Sequence, residues 1–288
     1  MSNIEVWANE FALEITTFKF PGGEIHVKIE DNELLNLNQG ICIFIVANLC
    51  SSDDIMELLL VKDAIDRYFD HNKEVYLTIK YLAYGRQDRV STYGEALSLS
   101  VIAKLINGCN FDSVELVDPH SDVSTALIDR SKVTDSYELY YMVGRKIPHL
   151  IKENSVLVSP DSGALKKVYK VAKEYGLEVI QASKHRNILT GEITGTTLGD
   201  TSHIPDISSK DLVIIDDICD GGRTFVELGK VLRTLTTGRV FLFVTHGIFS
   251  HPEGPNVFKG IFDKVFCYNV MFPEKHDSIK YPILVTNK

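Results

Sequence analysis

Residues 216–224, DDICDGGRT, bring three carboxylates, two glycines, a guanidinium and a hydroxyl together directly after the apolar run LVII. An apolar β-rich run reads as a buried strand, so Asp216 and Asp217 fall where it ends, with the chain leaving the sheet. The glycine turn then delivers Thr224 to the start of the helical pattern FVELGKVL. Backbone N–H groups and the positive helix terminus at such a junction seat an anion, while the carboxylates suit a diol. Phosphate at one end and hydroxyls at the other describe a 5-phosphorylated ribose. The competing reading is an ordinary strand–turn–helix junction, with Asp as loop former and Thr as cap. A metal-binding D-D-x-x-D helix is excluded, because the β-rich run before it and Gly221-Gly222 after it both break a helix.

Three further polar clusters follow apolar runs: YGRQDR (84–89), VDPHSD (117–122) and VSPDSG (158–163). Arg86 and Gln87 offer a planar donor fork and an amide, which suit an adenine ring and a triphosphate; the plain alternative is a mixed-charge solvated loop. His120 stands two residues after Asp118, and a His in such a place is by itself more often a structural hydrogen-bonder than a ligand. Ser162, Gly163 and Ala164 open a helix whose free N–H groups could take a diphosphate. Lys184 and Arg186 precede a polar run with little periodicity at 187–206. That run reads either as a surface loop or as a lid that closes two cations on a transferring phosphoryl group. No G-x-x-x-x-G-K-[ST] occurs, which excludes a Walker-type kinase.

The elements that must position these clusters alternate. Strand-like runs occur at 41–48, 74–82, 113–118, 155–161, 178–183, 212–217 and 240–246, and apolar residues recur at three- and four-residue steps in 55–69, 97–106, 165–176 and 225–235. Alternation of this kind means βαβ units and mostly parallel sheets. It occurs twice, giving an expected α/β fold of two domains, 1–140 and 141–288. Ligands in such sheets bind beyond the carboxyl ends of the strands, where the four clusters above all fall.

Composition narrows the partners. With 288 residues, 44% of them hydrophobic and 24% charged, the chain has the balance of a globular protein. A net charge of −9 argues against sequence-independent nucleic-acid binding, and it requires anionic substrates to be held by local cations, amides or metal. Five cysteines without a C-x-x-C pair fit a reducing compartment. MSNIEVWANEF resembles no signal peptide, and apolar stretches such as 41–47 are too short to span a bilayer. The expectation is therefore a cytoplasmic protein with neither a nucleic-acid nor a membrane partner.

Taken together, the clusters resemble the motifs of the ribose-phosphate pyrophosphokinases (PRPP synthetases), which have the type I phosphoribosyltransferase fold. DDICDGGRT is similar to their ribose-phosphate loop, YGRQDR to Y-x-R-Q-D-R, VDPHSD to the D-L-H segment and SPDSG to the S-P-D-x-G loop. KHR (184–186) resembles K-x-R, THGIFS (245–250) T-H-x-x-x-S, and FPGGE (20–24) F-S-D-G-E. The resemblance implies two phosphoribosyltransferase-like domains, each a mostly parallel sheet flanked by helices, the first carrying the ATP site and the second the ribose-phosphate site. It implies transfer of the β,γ-diphosphate of ATP to the C1 hydroxyl of a 5-phosphorylated ribose, with AMP released. It also implies ATP on Phe20, Glu24, Arg86, Gln87 and His120, with Phe20 acting on a neighbouring subunit's adenine. Mg²⁺ would sit on His120 and Asp161. The sugar phosphate would lie on Asp161, Asp216, Asp217, Asp220, Gly221, Gly222, Arg223 and Thr224, and Lys184 and Arg186 would stabilise the transition state. A homo-oligomer built from dimers follows from the same resemblance, and the family usually continues into one more C-terminal helix.

The pattern departs from the family at several points. The usual D-D-x-x-D-T-G-G-T has glycine here at 221 and arginine at 223, Gly22 replaces an acidic residue, and VSTALI (123–128) replaces a glutamine-rich segment. Arg223 either turns outward, grips the 5-phosphate, or reaches a second phosphate beyond it, as in ADP-ribose. Two rivals remain: a phosphoribosyltransferase that consumes the 1-diphosphate, and a non-catalytic regulatory subunit.

Overall fold

The computed structural model describes residues 3–30, 40–69, 73–146, 153–186, 193–271 and 283–284. The chain divides into two compact units, Met1–Thr134 and Asp135–Lys288.

The first unit contains β1 (Ile4–Ala8), β2 (Phe11–Ala12), β3 (Ile15–Lys19), β4 (Ile25–Ile29), β5 (Ile41–Leu49), α1 (Ser52–Tyr68), β6 (Lys73–Leu82), α2 (Ser98–Gly108), β7 (Ser113–Val117), α3 (Val123–Leu127) and β8 (Ser131–Thr134). Its main sheet has the order β2-β1-β5-β6-β7-β8, with β5 to β8 parallel and β1 antiparallel to β5. Ser51 caps α1 by accepting the Asp54 N–H, and Asp53 and Asp54 in the first turn complement the helix dipole. Ile55, Leu58, Val61 and Ile65 then recur on one face and share a core with Ile43, Ile45, Leu77 and Ile79.

Because β5 to β8 follow one another across the sheet, right-handed crossovers carry their helices to the same face. The burial of β5 agrees. Ile41, Ile43, Ile45, Ala47 and Leu49 are buried, while Phe44, between them, is exposed and stacks on Tyr76 at 5.3 Å. β3 and β4 form a separate antiparallel hairpin seated on α1, where Thr17 donates to the buried Glu57.

The second unit contains α4 (Ser136–Lys146), β9 (Ser155–Ser159), α5 (Leu165–Tyr175), β10 (Glu178–Arg186), β11 (Ile193–Leu198), β12 (Asp211–Cys219), α6 (Arg223–Leu235), β13 (Val240–Gly247), β14 (Lys264–Val270) and β15 (Ile283–Leu284). The sheet order is β11-β10-β9-β12-β13-β14-β15, parallel from β10 to β14 and antiparallel at both edges. Every residue of β9 and β13 is buried, as expected for strands covered on both faces. Phe225, Leu228 and Leu232 of α6 join one core with Val156, Ile214 and Leu242. Tyr140 of α4 is fully buried edge-on to Phe243 and Tyr175.

From β9 the chain moves by α5 to β10 on one side, and from β12 by α6 to β13 on the other. The strand order therefore reverses between β9 and β12, which makes their carboxyl ends the topological switch point where open α/β sheets bind ligands.

Two local expectations are corrected. β12 does not end at the paired aspartates: it continues through Cys219, with Ile218 opposite His246 and Cys219 opposite Gly247. Asp216 and Asp217 thus lie inside the strand, since β13 keeps offering ladder partners as far as Gly247. Lys184 and Arg186 lie on β10 rather than ahead of a loop, because β11 pairs back on them, Lys184 opposite Thr196 and Arg186 opposite Ile193. Part of the run read as a lid is therefore strand, and residues 187–192 lie outside the described residues.

Candidate active site

In the first unit β6 and β7 are parallel neighbours, so the segments after them, 84–89 and 118–122, emerge side by side. Both begin with a non-glycine residue in the left-handed region, Tyr84 at φ 64 and Asp118 at φ 41. Asp118 is buried, and its N–H donates to Thr134 O at 2.7 Å. The segments meet at Asp88, which is buried and accepts from Arg89 Nε at 2.9 Å. That hydrogen bond holds the Asp88 carboxyl below its usual range, with smaller contributions in the same direction from the Ser121 hydroxyl and the His120 charge.

Arg86, Gln87 and His120 are exposed around this junction. Phe20 closes the β3–β4 hairpin, where its N–H donates to Glu24 O at 2.8 Å. Its ring packs on Phe18 and His26, and the two phenylalanines are 47% and 44% exposed. Glu24 is exposed beside them. The parallel pairing of β6 and β7 thus brings the Arg86 and His120 loops together, while Phe20 sits on the β3–β4 hairpin.

In the second unit the carboxyl ends of β10, β9, β12 and β13 lie in a row. They carry, in that order, Lys184 and Arg186, then Asp161, then Asp216 to Thr224, then Ser250. The turn after β9 departs from expectation. The Gly163 and Ala164 N–H groups are not free, because both donate to Asp161 Oδ1, at 3.0 and 3.1 Å. Aspartate there folds back on its own turn, as Asx residues do.

On β12 the Asp217 N–H donates to Asp216 Oδ1 at 2.9 Å. Burial pushes the Asp216 carboxyl well above the usual carboxylate range, and repulsion from Asp217 and Asp161 acts in the same direction. Asp217 is 6% exposed and faces Lys167 of α5, Nζ to Oδ2 at 3.6 Å. Asp220 Oδ1 accepts the Ser250 hydroxyl. Gly222, at φ 78, turns the chain into α6 where a Cβ would stand 2.8 Å from the Phe258 ring. Arg223, the first residue of α6, is exposed, and Thr224 is half-buried. Among the described residues no hydrogen bond occupies the backbone N–H groups of Gly221, Gly222, Arg223 or Thr224. The loop thus offers an amide cradle at a helix N-terminus, with carboxylates behind it on the strand.

Sequence reasoning missed Lys167, which the periodicity of 165–176 presents as one more helix-surface lysine. It quoted Ser250 without giving it a role. Neither has a local signal, since each acquires its partner only through the strand order.

Comparison with known proteins agrees with this anatomy. Residues 8–109 match the family described as the N-terminal domain of ribose phosphate pyrophosphokinase, and residues 132–279 match the phosphoribosyl transferase domain. The chain is 31% identical over 261 residues to a ribose-phosphate pyrophosphokinase of Aquifex aeolicus, covering 89% of this chain and 78% of the relative. It is 27% identical over 270 residues to the ribose-phosphate pyrophosphokinase of Pyrococcus furiosus, covering 92% and 89%. The crystal structure of phosphoribosylpyrophosphate synthetase from Mycobacterium smegmatis has the same fold, with a TM-score of 0.74 over 94% of this chain and 84% of that one at 22% identity. With both family segments in order along two α/β units, the chain belongs to the ribose-phosphate pyrophosphokinase family of diphosphotransferases.

Proposed function

We propose that this protein transfers the β,γ-diphosphate of ATP to the C1 hydroxyl of a 5-phosphorylated ribose. The hydroxyl oxygen bonds to the β-phosphorus as its proton leaves. The bond from that phosphorus to the bridging oxygen of the α-phosphate breaks, and AMP departs with the oxygen. The observation that carries the reading is the switch point of the second sheet. There the carboxylates of β12 stand behind an amide cradle at the start of α6, in the same row of strand ends as Lys184 and Arg186.

In this reading Asp216, Asp217 and Asp220 take the ribose, and the amides of 221–224 with Thr224 take the 5-phosphate. Arg86, Gln87 and His120 take ATP, with Phe20 and Glu24 serving a neighbouring copy in a homo-oligomer. The exposed aromatic end of the β3–β4 hairpin supports that last role. Lys184 and Arg186 neutralise charge on the transferring group.

In this reading Mg²⁺ is held mainly by phosphates and water. Among the described residues no group of three or more His, Cys, Asp or Glu converges on a metal, while His120 and Asp161 would supply the protein donors. A carboxylate offers about four acceptor sites, so the two amides on Asp161 Oδ1 do not exhaust it. The ion would offset negative charge on the phosphates.

The acceptor is ribose 5-phosphate or a larger 5-phosphoryl ribose such as ADP-ribose. Arg223 supports the larger one. It is exposed at the rim of the cradle and, among the described residues, makes no hydrogen bond or ion pair, so its charge is available to a second phosphate. The test is mass spectrometry of products after incubation with ATP, Mg²⁺ and both sugars side by side. AMP with a sugar 1-diphosphate is the expected product, and a preference for ADP-ribose reversed by Arg223→Gly would establish the role of Arg223. Absence of AMP with either sugar would favour a regulatory subunit. Consumption of a supplied 1-diphosphate without ATP turnover would favour a phosphoribosyltransferase.

A further inference from the structure

Lys167 has no part in the reading above, yet its ammonium faces a buried carboxylate of β12, Asp217. It reaches that place from the first turn of α5, a helix packed against both β9 and β12. The lysine stem is also half-enclosed, with 26% of its side chain exposed against 9% for the Asp217 side chain. Two physical facts follow. A carboxylate with so little access to water needs a counter-charge, and Asp217 has a second carboxylate, Asp216, as its chain neighbour. A helix fixed by its buried Val168, Val171 and Ala172 therefore keeps a positive charge at a set place beside Asp217 Oδ2.

We infer that Lys167 is a positioning residue for the sugar: through Asp217 it sets the affinity for the 5-phosphorylated ribose and leaves ATP binding untouched. This rests on the assignment of β12 to the ribose. That assignment takes the ribose hydroxyls as donors to Asp217, and a carboxylate recognises a diol only when its oxygens are held in a fixed direction.

The test is calorimetric titration of the full-length protein with ribose 5-phosphate, with ADP-ribose and, separately, with Mg-ATP. Wild type, Lys167→Met, Lys167→Arg, Asp217→Asn and the Met/Asn double variant are compared. Lys167→Met is expected to weaken sugar-phosphate binding by about tenfold and to leave ATP binding within about twofold, while Lys167→Arg restores most of the loss. The double variant is expected to bind no more weakly than Asp217→Asn alone, because the lysine acts through that aspartate. Additive losses, equal losses for ATP and sugar, or no rescue by arginine would each overturn the inference. Circular dichroism melts separate a folding defect, and if Lys167→Met does not fold, Lys167→Gln takes its place in the cycle. Wild-type protein that binds neither sugar phosphate would instead remove the ribose assignment itself, a result distinct from a Lys167 variant that behaves like wild type.

Discussion

Ser250 donates its hydroxyl to Asp220 Oδ1 across 2.6 Å, joining the segment after β13 to the loop after β12. The two strands are parallel neighbours, and at Gly221 a Cβ would come within 3.8 Å of the same hydroxyl oxygen, so the loops run close together. Replacing Ser250 by alanine removes this donor from the Asp220 carboxylate and weakens its hold in one direction. A hydrogen bond to a charged group is worth about 1.5–3 kcal/mol, so the KM for the sugar phosphate should rise by at least about tenfold. Steady-state kinetics against each substrate in turn checks this, and an unchanged sugar KM would show that the bond positions nothing.

Gly222 is required by its backbone and by its surroundings. At φ 78 any other residue except asparagine is strained, and the Cβ it would carry stands 2.8 Å from Phe258 Cζ, an atom of a fully buried ring. Gly222→Ala should therefore cost about 1–3 kcal/mol from overpacking alone, with backbone strain added. A fall of roughly 5 °C or more in Tm is expected by calorimetry. The start of α6 would shift with it, so phosphate binding should weaken alongside stability.

Asp216 gives a pH dependence with a defined sign. Its folded carboxyl lies above the unfolded value of about 3.9, with burial as the first cause and Asp217 and Asp161 as the next. Such a group binds its proton more tightly when folded. Its contribution to stability is therefore complete below the unfolded value and is lost as pH rises through the folded one. Asp216→Asn abolishes that loss, so the Tm advantage of the variant should grow from pH 4 to pH 8, while its sugar-phosphate binding falls. A constant advantage would mean that the carboxyl is not shifted on folding, and a shrinking one that it is shifted downward, and either outcome refutes the prediction.

The architecture was legible because the runs that became β5, β6, β7, β9, β12 and β13 are apolar and short, and because α1, α2, α5 and α6 carry a helical period. β1, β3, β4 and β14 escaped notice, as did four other strands, and for those four the cause is plain. β2, β8 and β15 have two to four residues, too few to show a period. β11 reads ITGTTL, a composition typical of loops, and is a strand only because β10 offers it a ladder. At the site, Gly221 and Gly222 fell at the turn into α6 as read, whereas Asp216 and Asp217 lie within β12 and not after it. The partners of those residues depended on strand order: Asp161 closing on its own amides, Lys167 on Asp217 and Ser250 on Asp220 are contacts that no local pattern encodes.

The last prediction concerns Lys184 and Arg186, on the strand that ends next to β9. A register shift between His185 and Arg186 interrupts the alternation of β10, so sequence parity alone does not put the two cations on one face, and each has to be replaced singly. Phosphoryl transfer asks a protein mainly to position groups and to neutralise charge that develops in the transition state. If Lys184 does this, Lys184→Ala should lower kcat by about 100-fold or more, with the Kd for ATP within about twofold of wild type. Arg186→Ala should show the same split. Single-turnover kinetics with equilibrium ATP binding separates the two quantities. A variant that loses affinity while keeping its turnover at saturation would mean that these cations bind ground-state phosphates and nothing more.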